Sequence, residues 1–144
     1  MTKRWMMICS TILVAAVVLS AGCGSSKSKD IKVLEETLRQ YASTVRWGDI
    51  EQALSFVDPE VLKADPVEPF ELERMRQLQV AGYRERPYAF VGELRVRQIV
   101  QIELVNRHTQ EVRSTVDAQE WRFDPEAKRW WLMSGLPRFE PEKR

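Results

Sequence analysis

Residues 94–134 read LRVRQIVQIELVNRHTQEVRSTVDAQEWRFDPEAKRWWLMS, and this stretch decides the fold. Its first part alternates apolar and polar side chains, which is the period of a β-strand with one buried face. The residues expected on that face are Leu94, Val96, Val100, Ile102 and Leu104. Arginine, glutamine and glutamate side chains occupy most of the other face, and the polar run 106–110 predicts a turn. The sequence therefore predicts a long strand that ends in a hairpin.

A second strand is predicted after that turn, with a change of phase inside it. Its in-phase apolar residues are Val112, Val116 and Ala118. Trp121 and Phe123 lie one step out of phase, and such a slip predicts a β-bulge that bends the sheet. On this phase Asp117 faces solvent. Residues 124–128 predict another turn and residues 129–134 another strand, so we expect an antiparallel meander of at least three strands.

Helices are predicted before the sheet. The first follows an apolar stripe with three- and four-residue spacing, formed by Ile31, Leu34, Leu38, Tyr41, Ala42 and Val45. Gly48 is placed to end it as a left-handed cap, and Asp49 with Gln52 predicts a capping box that opens a second helix. Asp58-Pro59 ends that helix. We expect turns over residues 59–69 and a third helix from Phe70 to about Gln79.

These elements predict an α+β domain over residues 31–136, with N-terminal helices packed on a bent antiparallel sheet and a flexible C-terminal tail at 137–144. A flat sheet with helices on one side is the competing architecture. Removing residues 1–22 leaves 122 residues, which is enough for one domain with its own core.

The N-terminus has the three parts of an export signal. Lys3 and Arg4 are followed by a short apolar run and then by the small residues Ser20, Ala21 and Gly22. The apolar run is shorter than the roughly 20 residues that span a bilayer comfortably, although an uncleaved membrane anchor stays open as the alternative. We expect residues 1–22 to be a signal peptide.

This leader resembles that of bacterial lipoprotein precursors, through the lipobox Ser20-Ala21-Gly22-Cys23 with Leu19 just upstream. The resemblance implies that the chain is cut between Gly22 and Cys23, and that Cys23 then carries a thioether-linked diacylglycerol and further fatty acid such as palmitate. Two or more acyl chains hold a protein stably on a membrane. Residues 23–30 are expected to form a flexible lipidated tether. Gly24, where an aspartate would favour inner-membrane retention, implies the periplasmic face of the outer membrane.

Charge and cysteine content exclude several functions. Beyond Gly22 the chain carries 20 basic and 21 acidic residues, so no basic face for nucleic acid is expected. After cleavage Cys23 is the only cysteine, which precludes an internal disulfide. His108 is the only histidine and lies in the predicted hairpin turn, so we expect neither a zinc site nor a catalytic base there. No cofactor or metal is predicted.

The order of helices, Gly48-Asp49, Asp58-Pro59 and a closing hairpin resembles the nuclear transport factor 2-like superfamily. This resemblance implies a cone-shaped fold around a pocket, in which some members hold catalytic acids. The residues that could point into such a cone are Tyr41, Asp49, Glu103, Asp117 and Glu120. Asp49 has an alternative role as an N-cap, and no complete catalytic set is apparent.

The tryptophans beyond the predicted signal peptide are the other prominent set, and they are Trp47, Trp121, Trp130 and Trp131. Trp130 and Trp131 are adjacent on a strand and must face opposite sides, so they are the candidate binding surface, with core packing as the alternative. We expect a noncatalytic, lipid-anchored envelope lipoprotein that binds a protein partner or a small apolar ligand. A small pocket enzyme, such as a hydratase or isomerase, is the rival hypothesis.

Overall fold

A computed structural model describes the backbone of residues 24–139 and the side chains of residues 29–139. The predicted signal peptide, the cleavage site and Cys23 lie outside the described residues. The helical elements are α1 (Gly24–Trp47), α2 (Ile50–Ala53) with a 3₁₀ turn at Leu54–Phe56, α3 (Pro59–Ala64) and α4 (Pro69–Arg76). The strands are β1 (Leu78–Glu85), β2 (Ala89–Gly92), β3 (Arg95–Asn106), β4 (Val112–Asp124) and β5 (Arg129–Leu132).

Helix α1 confirms the predicted apolar stripe from Leu34 onward, whereas Ile31, its first predicted member, is exposed. Leu34, Leu38, Tyr41 and Val45 are buried against the sheet, as the three- and four-residue spacing requires. The helix begins earlier than predicted, since residues 24–30 are helical where a flexible tether was expected.

The junction after α1 differs from the prediction in its details. Gly48 does follow the last helical residue, but its backbone is not left-handed. A side chain there would meet the carbonyl oxygen of Thr44 at 2.9 Å, so glycine is required for space. Asp49 makes no side-chain cap to the backbone, and the predicted capping box with Gln52 does not form.

The segment 59–69 was predicted as turns but contains helix α3. Asp58 is its N-cap, because the Oδ1 atom accepts a hydrogen bond of 2.8 Å from the N–H of Glu60. Pro59 takes the first helical position, where its missing N–H costs nothing. The same dipeptide that ends one helix therefore starts the next.

The sheet is antiparallel, in the order β1-β3-β4-β5, with β2 also paired to β3. Strand β1 was not predicted, because the third helix was expected to extend into it. A register shift between Val80 and Gly82 interrupts its alternation, so the apolar period is hidden in the sequence. The sheet curls into a half-barrel, and α1 lies against its concave face.

The predicted β-bulge in β4 is wrong. Strands β3 and β4 pair without a register shift from Val105↔Val112 to Arg95↔Arg122. The residues of β4 that face the interior are Asp117, Gln119, Trp121 and Phe123. The apolar residues at 112, 116 and 118 point outward instead, so the prediction that Asp117 faces solvent is also wrong.

The C-terminal segment is packed further than predicted. Pro137 is fully buried, and Phe139 packs against the cluster of Val100, Ile102 and Leu104. Residues 137–139 therefore belong to the domain and not to a flexible tail. Residues 140–144 lie outside the described part of the chain.

Candidate functional site

Four polar side chains meet on the concave face of the sheet, and we call Tyr41, Tyr83, Asp117 and Gln119 the polar cluster. The amide nitrogen of Gln119 donates to the carboxylate of Asp117 at 2.8 Å and lies 3.1 Å from the Tyr83 hydroxyl oxygen. The amide oxygen of Gln119 accepts from the indole N–H of Trp121 at 3.2 Å. Gln119 therefore holds the cluster together from its centre.

Local structure explains why these residues converge. Trp121 and Phe123 fill the core, and odd-numbered residues earlier in β4 share their face, which directs Asp117 and Gln119 inward. The irregularity at Gly82 resets the alternation of β1, so that Tyr83 faces inward opposite Ile102. The sequence contains a signal for this arrangement. If Trp121 and Phe123 are assumed to be buried, strand alternation also places Gln119 and Asp117 on the inner face.

Burial controls the protonation of the cluster. Asp117 is only 9% exposed, and burial raises the pKa of its carboxyl, while the hydrogen bond from Gln119 offsets part of the rise. Burial also raises the pKa of the Tyr83 hydroxyl, which the Gln119 hydrogen bond opposes and the charge of Asp117 reinforces. The pKa of Tyr41 is raised by burial first and by Asp117 second. Both tyrosines are therefore neutral hydroxyl groups at neutral pH.

The cluster has one carboxylate and an unpaired hydroxyl. The Tyr41 hydroxyl has no hydrogen-bond partner among the described residues, and neither has the Oε1 atom of nearby Gln98. The Tyr41 ring is held edge-on against Trp121 at a centroid distance of 5.2 Å. Chemically, Asp117 can accept a proton and the tyrosines can donate hydrogen bonds.

The other acids proposed for a cone lie elsewhere. Asp49 is exposed at the start of α2. Glu103 pairs with Arg84 at 2.9 Å, and Glu120 bridges Arg95 and Arg97 at 2.8 and 3.1 Å. These ion pairs are on the outer face of the sheet, and of the proposed residues only Tyr41 and Asp117 come together.

The two tryptophans proposed as a binding surface are separated by the strand, as alternation requires. Trp130 is 2% exposed and its indole donates to the backbone oxygen of Asp30 at 3.1 Å, so it is a core residue and cannot be part of a surface. Trp131 is half-buried and is covered by the guanidinium of Arg129, 3.7 Å from the ring centroid. Of these two tryptophans, only Trp131 is partly exposed, while Trp47 at the end of α1 is 72% exposed.

Two grooves flank the C-terminal segment. One of about 360 Å³ lies between α3 and α4, with Val57, Met75 and Leu136 in its lining. The other, of about 560 Å³, is lined by the end of α1 and by Leu104. Phe139 lies between the grooves and lines both, and neither is lined by a member of the polar cluster.

Strand β4 is unpaired along one side over residues 112–119, which we call the free edge. Strand β5 pairs only with residues from Trp121 onward, so within the described residues this part of β4 has a partner on the β3 side alone. Phe123 donates its N–H to Leu94 on the β3 side at 2.9 Å, and the carbonyl of Glu120 accepts from Met133 on the other side at 2.7 Å. Because the ladder is regular, even-numbered residues of the free edge direct their N–H and C=O groups away from β3.

Three of the eight residues of the free edge, Val112, Val116 and Ala118, are apolar and exposed. Val112 and Val116 are 68% and 67% exposed, and the neighbouring outward residues Ala118 and Ile99 are also exposed. An exposed edge with β-branched side chains is a template for another strand. Lysine, proline and bulges, which blunt such edges in many proteins, do not occur at residues 112–119, although Arg113 and the inward-facing Asp117 are charged.

Comparisons with known proteins add no relative, since no family model, curated protein or solved structure matches the chain. Among the described residues, no group of three or more histidine, cysteine or acidic side chains is placed to hold a metal ion. Within the same part of the chain, no helix has the length and apolar character needed to cross a bilayer. His108 is exposed in the turn between β3 and β4.

Proposed function

We propose that the protein is a noncatalytic lipoprotein of the bacterial envelope, attached through Cys23 and held at the periplasmic face of the outer membrane. Its domain binds a protein partner by adding an extended segment of that partner to the free edge of β4. The observation that carries this proposal is the unpaired run 112–119, with its outward N–H and C=O groups. Strand addition derives affinity from main-chain hydrogen bonds and specificity from alternate side chains.

The position of the free edge supports a role in reaching a partner. Trp130 and Asp30 place the start of α1 near the Val96 end of β3, while Val112 pairs with Val105 at the other end. At about 3.4 Å per residue, Val96 and Val105 are about 30 Å apart. An anchor at Cys23 would therefore present the free edge on the side away from the membrane.

We also propose that the fold belongs to the nuclear transport factor 2-like superfamily. Helices that precede a curled antiparallel sheet, with α1 across the concave face, support this assignment.

The lipid half of the proposal is tested by Cys23→Ser. We expect the parent protein to incorporate radiolabelled palmitate and to fractionate with outer membranes, and the variant to do neither. Labelling that persists in Cys23→Ser would contradict attachment at this residue.

The binding half is tested by in-cell photocrosslinking from position 112, combined with Val116→Pro. The N–H of Val116 points away from β3, so proline at this position removes an edge donor while leaving the β3–β4 hydrogen bonds in place. Val116→Ala is the matched control, since it keeps the N–H and also shortens the side chain. We expect one crosslinked envelope protein, retained in Val116→Ala and lost in Val116→Pro. Equal crosslinking in both variants would exclude strand addition.

A small pocket enzyme is the second candidate, and the buried Asp117 beside two tyrosines is the observation that favours it. A carboxyl group with a raised pKa is suited to accept a proton from a substrate. The assay measures the isomerisation or hydration of small unsaturated carbonyl compounds by the purified protein. Asp117→Asn is the control variant and is expected to be inactive. Turnover that survives Asp117→Asn would remove this candidate.

A further inference from the structure

The tip of the β2–β3 hairpin is apolar and exposed. Phe90, Val91 and Leu94 are each between 43% and 50% exposed, and Ile31 of α1 is 36% exposed. We call these four residues the apolar tip. Exposed apolar side chains that lie at one end of a domain mark a contact with another surface more strongly than scattered ones do.

A series of hydrogen bonds runs from the hairpin across β4 and β5 to the beginning of α1. The backbone of Leu94 accepts from Phe123 at 2.9 Å, and Phe123 pairs across the sheet with Trp130. The indole of Trp130 in turn donates to the backbone of Asp30 at 3.1 Å. One strand pair therefore separates the hairpin from the first turns of α1.

A second chain of contacts leads from the hairpin to α1. Tyr88, just before β2, reaches Glu35 of α1 with its hydroxyl at 3.4 Å and packs edge-on against Phe90 at a centroid distance of 5.9 Å. The other end of α1 lies at the far side of the domain, where Trp47 and Leu104 line the same groove. The N-terminal end of α1 and the apolar tip are thus at the same end of the molecule.

Helical geometry connects this end to Cys23. Residues 24–30 are helical, so Gly24 lies about 9 Å from Asp30 along the helix axis at 1.5 Å per residue. Cys23 is bonded directly to Gly24. A helix holds this distance, whereas a flexible tether would allow the domain to drift and rotate freely.

We propose that the apolar tip inserts into the headgroup region of the membrane that holds the lipidated Cys23, so that the domain has a fixed orientation and not only a fixed location. This inference rests on the proposed lipid attachment. The anchor keeps the tip near the surface at high effective concentration, so a small apolar contact suffices to orient the domain.

The charges at this end of the molecule are balanced. Apolar contact must therefore be what orients the domain on the membrane. Glu93 and Arg95 flank Leu94 in the sequence, and Asp30 and Lys32 flank Ile31, so each of these apolar residues lies between one acidic and one basic neighbour. Attraction to anionic lipid is therefore offset by nearby carboxylates. We expect the contact to depend little on salt concentration.

The test uses the lipidated full-length product in vesicles of phosphatidylethanolamine and phosphatidylglycerol, with a bimane label at Val91→Cys. Lipidation occupies Cys23, and Cys9 precedes the cleavage site, so the introduced thiol is the only one available. The matched control is Val116→Cys, which is also an exposed valine on a strand but lies towards the other end of β4. A lipid that carries bromine atoms high on its acyl chains quenches only labels inserted near the headgroups.

We expect brominated lipid to reduce the fluorescence at position 91 about twofold, as for a residue buried at the headgroup boundary, and to leave position 116 unchanged. Quenching at 91 that persists in high salt supports apolar insertion. Equal quenching at the two positions, in protein whose mass includes the lipid, overturns the orientation alone. A mass without lipid overturns both the proposed attachment and the orientation that rests on it.

Discussion

Asp117→Asn should make the protein more stable at neutral pH. The folded state raises the pKa of this carboxyl above its ordinary value of 3.8, because burial penalises the charge more than the Gln119 hydrogen bond favours it. Folding therefore favours the protonated form, and its contribution to stability is complete below about pH 3.8 and is lost as the pH rises through the folded pKa. Asparagine resembles the protonated acid and can still accept from Gln119.

The size of the pKa shift of Asp117 determines how much Asp117→Asn stabilises the protein. Each unit by which the folded state raises the pKa of Asp117 corresponds to about 1.4 kcal/mol of unfolding free energy at neutral pH. For a domain of this length, each kcal/mol shifts the melting temperature by about 3–6 °C. The gain in Asp117→Asn should equal the measured pKa shift multiplied by this factor, and it should disappear in acid.

The assay is urea unfolding from pH 3 to 8, followed by tryptophan fluorescence, together with carbon NMR titration of the Asp117 carboxyl.

Asp58→Asn is the control, and it should change the stability in the opposite direction. Burial raises the pKa of Asp58, but hydrogen bonds from Arg122 and from the Glu60 N–H, and the Arg122 charge, lower it overall. Its contribution is present above pH 3.8 and is lost as the pH falls through the folded pKa, so Asp58→Asn should destabilise at neutral pH by about 1–2 kcal/mol. An Asp117 carboxyl that titrates at or below 3.8, or an Asp117→Asn variant less stable than the parent at pH 7, would refute the reasoning.

Three further substitutions test the packing. Tyr41→Phe removes a buried hydroxyl without a partner among the described residues, so it should raise unfolding free energy by about 1 kcal/mol; a loss of that size would mean that the hydroxyl is hydrogen-bonded. Gly48→Ala places a methyl group 2.9 Å from the carbonyl of Thr44 and should cost at least about 1 kcal/mol in urea unfolding, whereas an unchanged midpoint would contradict the close approach. Trp130→Phe loses the hydrogen bond to Asp30 and should cost about 1–2 kcal/mol, with faster amide exchange in the first turns of α1; unaltered exchange there would show that this bond does not hold the helix start.

Prediction from the sequence succeeded where the apolar period was continuous. The stripe of α1 repeats at regular spacing and the first long strand alternates, so the buried faces of both elements were found, although α1 begins earlier than predicted. Strand β1 was missed because the irregularity at Gly82 breaks its alternation. Helix α3 was missed because Asp58-Pro59 is compatible with the end of one helix and with the start of another.

The candidate sites depended more strongly on tertiary structure. Asp117 was assigned to solvent because its neighbours Val116 and Ala118 are apolar. Strand β4 has apolar side chains on both faces, so local sequence allows two phases with similar burial. Contact with α1 selects the phase that buries Trp121, which carries Asp117 and Gln119 inward with it.

The sequence by itself determined the helical stripe of α1, the long alternating strand and the turns between strands, because these follow from the spacing of neighbouring residues. The proposed lipid attachment at Cys23 also derives from sequence alone and lies outside the described residues. Only the tertiary structure decided which face of β4 is buried, which edge of it stays unpaired and which end of the domain lies next to the first residues of α1. Those properties depend on how elements that are distant in the sequence pack together. The sequence of one segment does not show which other elements it packs against.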